Sequence, residues 1–282
     1  MNFADYWAVV DEELAAIPGR PVVDLVPQRV TAEATSYTVR LTSTGPYRVF
    51  GHLSIPTGDG PFPALLQTPR YGSVNHVPHP NDRSRYVVLG LMHRGQRLAD
   101  EGFSAAYPGL LTMGIDDPAS YIYRGIAADC LRAAEFLMSL SEVDPARVAV
   151  SGDDLAVLTA ARRPGFSAVR VTELLFYRAM EARLRSSHYP LEELNDYLRA
   201  GSSPEIVDNT IAYFDPARHA PAVTGRSLVA VEDPDWCASL IEALPAADVY
   251  QLTHLDGTDN DFLDAWLSEL SGVPPLSRFI TT

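Results

Sequence analysis

The chain has 282 residues, 46% of them hydrophobic, and a formal net charge of -14. This length fits one large domain or two small ones, and the apolar content is sufficient for a sizeable core. The acidic balance disfavours nucleic acid and anionic membrane surfaces as partners. No apolar run reaches the roughly 18 residues that a membrane-spanning helix needs.

The cysteine content and the first residues bear on the compartment. Cys130 and Cys237 are the two cysteines, too few for a disulfide framework in a chain of this length, which favours a reducing environment. The segment 1–13 has neither a basic start nor the apolar stretch of a signal peptide. We therefore expect a cytoplasmic protein.

The first 60 residues predict a helix followed by a hairpin. Apolar residues recur at spacings of three and four from Phe3 to Ile17, as on one face of an amphipathic helix. Two alternating runs, 37–41 and 47–55, flank a turn that contains Gly45-Pro46. We expect these elements to form an N-terminal extension over residues 1–60.

From residue 63 the pattern changes to short apolar runs separated by helical segments. The runs are 64–66, 86–89, 148–150 and 228–231, and the clearest helix covers 124–140. Apolar strands that alternate with helices predict an α/β fold, with a mostly parallel sheet covered by helices on both faces. The expectation is a single domain over 1–282, with a loop at 71–84 and a helical excursion at 173–222 above the active site.

The segment 148–161 carries the most informative motif, a predicted strand, turn and helix. Its turn reads Gly152-Asp153-Asp154-Leu155-Ala156, and a nucleophile elbow places G-x-S-x-G in this context. Asp154 stands at the serine position, and Ala156 replaces the last glycine. Taken alone, the turn also fits an aspartate that caps the following helix.

Further motifs in the same order along the chain carry a family resemblance. They include Tyr6-Trp7, Arg94-Gly95-Gln96, Glu142-Val143-Asp144 and Tyr213-Phe214-Asp215. With the elbow, they make the chain similar to the acetylxylan esterase and cephalosporin C deacetylase family. The resemblance implies an α/β-hydrolase fold, a small-molecule substrate and a homo-oligomer.

The resemblance also implies a catalytic set. Asp154 matches the nucleophile, Asp235 the acid and His254 the histidine, and Asp233 becomes the acid if the register shifts. The order nucleophile, acid, histidine is that of α/β-hydrolases.

The resemblance implies further site residues. The backbone N–H groups of Tyr71 and Leu155 match the oxyanion hole, and Arg94 and Gln96 match residues near the pocket. Pro69-Arg70 replaces the His-Gly of the family, so Arg70 is expected either to pair with Asp154 or to bind an anionic substrate.

An aspartate at the elbow changes the expected chemistry. Carboxylate attack on an ester would give an anhydride, more reactive than the ester, whereas attack at a saturated carbon gives an ester that water activated by His254 can cleave. Asp154 could instead act as a general base towards water.

The other hypothesis is a catalytically silent pseudo-esterase with a binding or structural role. No cofactor motif is visible, and His76 and His79 are interpreted as loop histidines and not as metal ligands.

Overall fold

Nine strands form one mixed sheet in the computed structural model, which describes residues 1–73 and 77–277. The strands are β1 (Val22–Leu25), β2 (Ala34–Thr42), β3 (Arg48–Pro56), β4 (Phe62–Gln67), β5 (Val87–Met92), β6 (Val143–Gly152), β7 (Phe166–Val171), β8 (Arg226–Val231) and β9 (Ala247–Gln251). Their order is β1-β2-β3-β5-β4-β6-β7-β8-β9. The pairs from β1 to β5 are antiparallel, and those from β5 through β4 to β9 are parallel. The predicted α/β class is confirmed.

Ten helices accompany the sheet within the described ranges. They are α1 (Phe3–Ala15), α2 (Pro80–Arg83), α3 (Ile122–Met138), α4 (Asp154–Arg162), α5 (Ala179–Ala182), α6 (Glu192–Arg199), α7 (Pro204–Ile211), α8 (Pro216–His219), α9 (Ala238–Ala243) and α10 (Asp256–Ser271). None of the helices in these ranges combines the length and apolar character needed to cross a membrane.

The predicted N-terminal helix and hairpin are confirmed. Asn2 caps α1 by accepting a hydrogen bond from the Asp5 amide, and Trp7 and Leu14 on its inner face are fully buried. Strands β2 and β3 pair in antiparallel register, with Val39 opposite Gly51. The alternation of apolar and polar residues in the sequence therefore arises because the two faces of these strands are buried to different extents.

The buried strands explain the short apolar runs. Leu66 of β4 and Val150 of β6 belong to the large core under α1, α3 and α4, whereas their neighbours Leu65 and Ala149 pack on the opposite face with Leu267 of α10. Both faces of these strands are covered at 64–66 and 148–150, so successive residues there are apolar and the period-two pattern disappears.

The segment 71–84, predicted as a loop, contains a one-turn helix. Pro80 occupies the first turn of α2, and the His79 ring accepts a hydrogen bond from the Asn81 amide at 3.2 Å. Local side-chain capping therefore orders part of a proline-rich segment. His76 lies outside the described residues.

Candidate functional site

The turn between β6 and α4 lies at the carboxyl edge of the sheet, where α/β proteins bind ligands. Strand β6 ends at Gly152, and α4 begins at Asp154. A side chain at Gly152 would collide with the Thr68 hydroxyl group after β4. Glycine is therefore required here, because the turn passes directly against the neighbouring strand end.

Asp153 caps α4. Its backbone is extended, with φ -93° and ψ -154°, and its Oδ1 accepts a hydrogen bond from the Leu155 amide at 3.0 Å. Ser, Thr, Asp and Asn are the preferred residues at this position for that reason. The helix-cap interpretation of the motif thus holds for Asp153. The Leu155 N–H, predicted as an oxyanion donor, already has an acceptor within the protein.

Asp154 is 1% exposed, and its carboxyl group points towards the segment between β7 and α5. Its Oδ2 accepts hydrogen bonds from the Leu175 amide and, at 3.0 Å, from the Phe176 amide. Its Oδ1 is buried and has no hydrogen-bond partner among the described residues. Asp154 has no positive φ, unlike four other non-glycine residues, including His254, in the described ranges, whereas a nucleophile elbow is a sharp, strained turn.

The two adjacent carboxyl groups have perturbed protonation. Burial raises the pKa of Asp154 to about 7, although the amides of Phe176 and Leu175 act to lower it. Burial, followed by the neighbouring Asp154 charge, raises the pKa of Asp153 well above its usual range. Both shifts follow from removing a charge from water without a cation beside it.

The structure does not bring His254 and Asp235 to Asp154. The His254 side chain is 69% exposed, and its Nδ1 lies 3.9 Å from Glu232 Oε1. Asp235 is exposed and makes no side-chain hydrogen bond or ion pair within the described part of the chain. Asp233, the other acid considered, accepts from Arg185 at 3.0 Å and from the Trp236 amide.

Arg70 does not form the expected pair with Asp154. Its side chain is exposed, whereas Asp154 is buried and hydrogen-bonded to backbone amides. Arg70 lines a cavity of about 380 Å³ together with Ser151 and Arg170. Ser151 lies in β6 and accepts a hydrogen bond from Arg170 at 3.0 Å.

Arg94 and Gln96 make contacts that organise the surrounding loops. Arg94 donates two hydrogen bonds, of 2.9 and 2.5 Å, to Asp129, a residue of α3 that is fully buried. Gln96 donates from Nε2 to the carbonyl oxygens of Arg70 and Gly72 at 3.3 and 2.8 Å. Gln96 thereby holds both neighbours of Tyr71, the other predicted oxyanion residue.

A larger cavity, which we call the main cavity, occupies about 470 Å³ at the carboxyl edge of β6, β7 and β8. Tyr71, Asp153, Tyr177 and Trp236 line it, but Asp154 and His254 do not. Its volume is within the usual range for small-molecule sites. The helical segment between β7 and β8 contributes Leu191 to the wall.

Asp153, Glu173 and Glu232 line this cavity but were not among the site residues predicted from the sequence. Glu173 follows β7 closely and Glu232 follows β8 directly. Because the carboxyl ends of parallel strands share one edge of a sheet, acidic residues just after predicted strands were the available signal.

Comparison with known proteins agrees with this fold. Residues 1–239 match the model of the acetyl xylan esterase (AXE1) family. An acetyl esterase of Xylanibacter ruminicola is 25% identical over 253 residues, which cover 79% of this chain and 54% of that protein. The chain thus spans about half the length of this curated relative.

Two solved structures are similar over nearly their whole length. An acetyl xylan esterase from a Paenibacillus species superposes with a TM-score of 0.79 at 23% identity, covering 95% of this chain and 94% of the other. Acetyl xylan esterase 1 from a Thermoanaerobacterium species gives 0.78 at 20% identity, covering 95% and 93%. The chain therefore belongs to the acetyl xylan esterase family and has the α/β-hydrolase fold.

Proposed function

We propose that this family member binds a small molecule in the main cavity and does not form an acyl-enzyme. This proposal corresponds to the catalytically silent pseudo-esterase and not to the hydrolase with an aspartate nucleophile. One observation carries the proposal: the Asp154 carboxyl group is turned into the protein, where it binds the amides of Leu175 and Phe176. A nucleophile must reach the substrate and a base.

The surroundings of Asp154 support the same proposal. His254 is mostly exposed and makes no hydrogen bond to Asp154, so the base that a covalent mechanism requires is not in place. The Leu155 amide is occupied by Asp153, which removes one of the two donors that would stabilise an oxyanion. Asp154 instead fixes a wall of the main cavity.

The test is hydrolysis of p-nitrophenyl acetate by the wild type, Asp154→Asn and Asp154→Ser, each checked for folding by its melting transition. We expect all three to match the buffer rate, since a serine at 154 would still lack a histidine within hydrogen-bond distance. Turnover by the wild type that Asp154→Asn abolishes would contradict the proposal. Turnover gained by Asp154→Ser would show that His254 reaches the site.

The second candidate is a hydrolase in which Asp154 attacks a saturated carbon bearing a leaving group. The observation in its favour is Asp154 Oδ1, which has no partner among the described residues. Water would cleave the resulting ester at the Asp154 carbonyl carbon and leave one of its oxygens in the carboxyl group. Turnover of alkyl halides or epoxides in ¹⁸O-water, with label in the peptide containing Asp154, would establish this mechanism. The absence of label after turnover excludes it.

The remaining expectations belong to this proposal. A reducing, cytoplasmic location is supported by Cys130 and Cys237, which are both free and buried. A homo-oligomer is supported by the family resemblance alone. Light scattering of the purified chain tests it directly, and a monomeric mass at micromolar concentration would overturn it.

A further inference from the structure

The ionisable side chains that line the main cavity are acidic. Four carboxyl side chains line it, those of Asp153, Glu173, Glu232 and Asp233, and the described lining includes no arginine or histidine. Asp233 is the one with an arginine partner, Arg185, at 3.0 Å. The walls therefore carry carboxyl groups that no arginine of the described chain neutralises. Asp153, whose pKa burial raises well above its usual range, would ionise when a ligand cation lies beside it.

Asp153 is the deepest of these groups. It is 4% exposed, and its Oδ1 is held by the Leu155 amide. The Tyr71 hydroxyl group on the same cavity is buried without a partner in the described ranges. Buried polar atoms usually have partners, so the Tyr71 hydroxyl group, together with the Asp153 carboxyl group that lines the same cavity, fits the polar end of a ligand.

Two arginines that contact the cavity residue Trp236 are already engaged. Arg178 and Arg185 stack on Trp236, 3.9 and 4.1 Å from the ring centroid. Arg178 also pairs with Glu181, and Arg185 with Asp233. Their charges are therefore balanced locally, whereas Asp153, Glu173 and Glu232 pair with no arginine in the part of the chain that the structure describes.

Most of the remaining lining is apolar. Leu174, Leu175, Leu191, Val231 and Leu252 contribute to the walls. Such a surface suits a carbon skeleton better than a hydrated inorganic ion, because apolar area is buried favourably only against apolar groups. An apolar wall with a deep carboxyl group is the pattern expected for an amine-bearing ligand.

We propose that the main cavity binds a small organic cation, with the ammonium group paired to Asp153 and the carbon skeleton against the leucines. Glu173 and Glu232 would attract the cation at the cavity mouth. This inference rests on the proposed function, which makes the main cavity a ligand site and not a covalent active centre.

Calorimetric titration with three probes of similar shape tests the proposal: benzylammonium, benzyl alcohol and benzoate. The full chain is titrated as wild type, Asp153→Asn, Glu232→Gln and the control Asp24→Asn, which changes an exposed carboxyl group on β1. Asparagine still caps a helix well, so Asp153→Asn should fold. Glu232→Gln changes an exposed side chain of the same cavity. It therefore supplies a second measurement if Asp153→Asn does not fold.

We expect benzylammonium to bind and the other two probes not to bind. Asp153→Asn should weaken benzylammonium binding by about tenfold or more, as loss of a charge-assisted hydrogen bond implies. Glu232→Gln should weaken it less, and Asp24→Asn not at all. Equal binding of benzoate, no binding of benzylammonium, or unchanged affinity in both cavity variants would overturn the inference.

The hydrolysis of p-nitrophenyl acetate distinguishes a failure of the proposed function from a failure of the organic-cation inference. A wild type that hydrolyses p-nitrophenyl acetate through Asp154 overturns the proposed function, whatever the titration shows. An inert wild type that fails to bind benzylammonium overturns only the choice of an organic cation.

Discussion

The Asp154 carboxyl group is buried with two backbone donors and, among the described residues, no cation beside it. Its pKa is raised from 3.8 to about 7. The folded state therefore binds a proton more tightly than the unfolded state, and the stability linked to this group is complete below pH 3.8 and lost as the pH rises to about 7.

Asp154→Asn should remove this pH dependence. The asparagine oxygen can still accept from Leu175 and Phe176, but it carries no charge. We expect the free energy of unfolding of the variant, relative to the wild type, to increase between pH 5 and pH 8 in urea titrations. Asp24→Asn, on the exposed strand β1, is the control and should show no such trend. A difference that stays constant with pH would contradict this account.

The Arg94–Asp129 pair supports a second prediction at the scale of single residues. Asp129 is fully buried, and the Arg94 side chain is 11% exposed. Arg94→Met would leave a buried carboxylate without its partner, which costs ~3–5 kcal/mol. Arg226→Met breaks an exposed pair with Asp248, whose side chain is 35% exposed, and should cost at most about 1 kcal/mol. Urea unfolding of both variants measures the difference, and equal losses would refute the distinction.

At the scale of elements, Asp154 joins the start of α4 to the segment between β7 and α5. This segment, from Thr172 to Tyr177, forms much of one wall of the main cavity. Its attachment at Leu175 and Phe176 depends on one carboxyl oxygen. The position of this cavity wall therefore depends on Asp154, the residue that stands at the nucleophile position.

Asp154→Ala should release that wall. We expect the Leu175 and Phe176 amides to lose protection in hydrogen exchange, because their acceptor is removed. Asp154→Asn should retain protection at both positions. The Leu155 amide, held by Asp153, serves as the internal control and should not change in either variant. Unchanged exchange at 175 and 176 in Asp154→Ala would show that the wall is held by other contacts.

The sequence predicted the strand, turn and helix around Asp154 correctly, but not the directions in which the side chains of the candidate site point. The strand at 148–150, the turn at 152–154 and the following helix are all present, because apolar periodicity and glycine report backbone conformation. Whether Asp153 or Asp154 faces the cavity depends on a rotation of the turn, which the alignment of a motif does not fix. The exposure of His254 likewise depends on long-range packing of its loop.

At the scale of the whole molecule, Arg85 links the segment before β5 to α10 and the residues that follow it. It precedes β5 and donates to the Asn81 carbonyl at 2.8 Å, to Ser268 on α10 at 2.8 Å and to the Pro274 carbonyl at 2.9 Å. Its guanidinium group also pairs with Asp264 of α10. Both charged side chains are at least nine-tenths buried. Arg85 thus adds a buried polar attachment of helix α10 to its apolar packing on one face of the sheet.

A double-mutant cycle on this pair tests that attachment. Arg85→Met and Asp264→Asn should each cost ~3–5 kcal/mol, because each removes one charge of a buried ion pair and leaves the opposite charge in the interior. The double variant should cost less than the sum of the two single losses, since neither charge is then left alone in the interior. Urea unfolding followed by tryptophan fluorescence measures all four proteins, and Trp266 on α10 reports the helix directly. Strictly additive losses would mean that Arg85 acts through its carbonyl contacts and that the pair with Asp264 contributes nothing to the anchoring of α10.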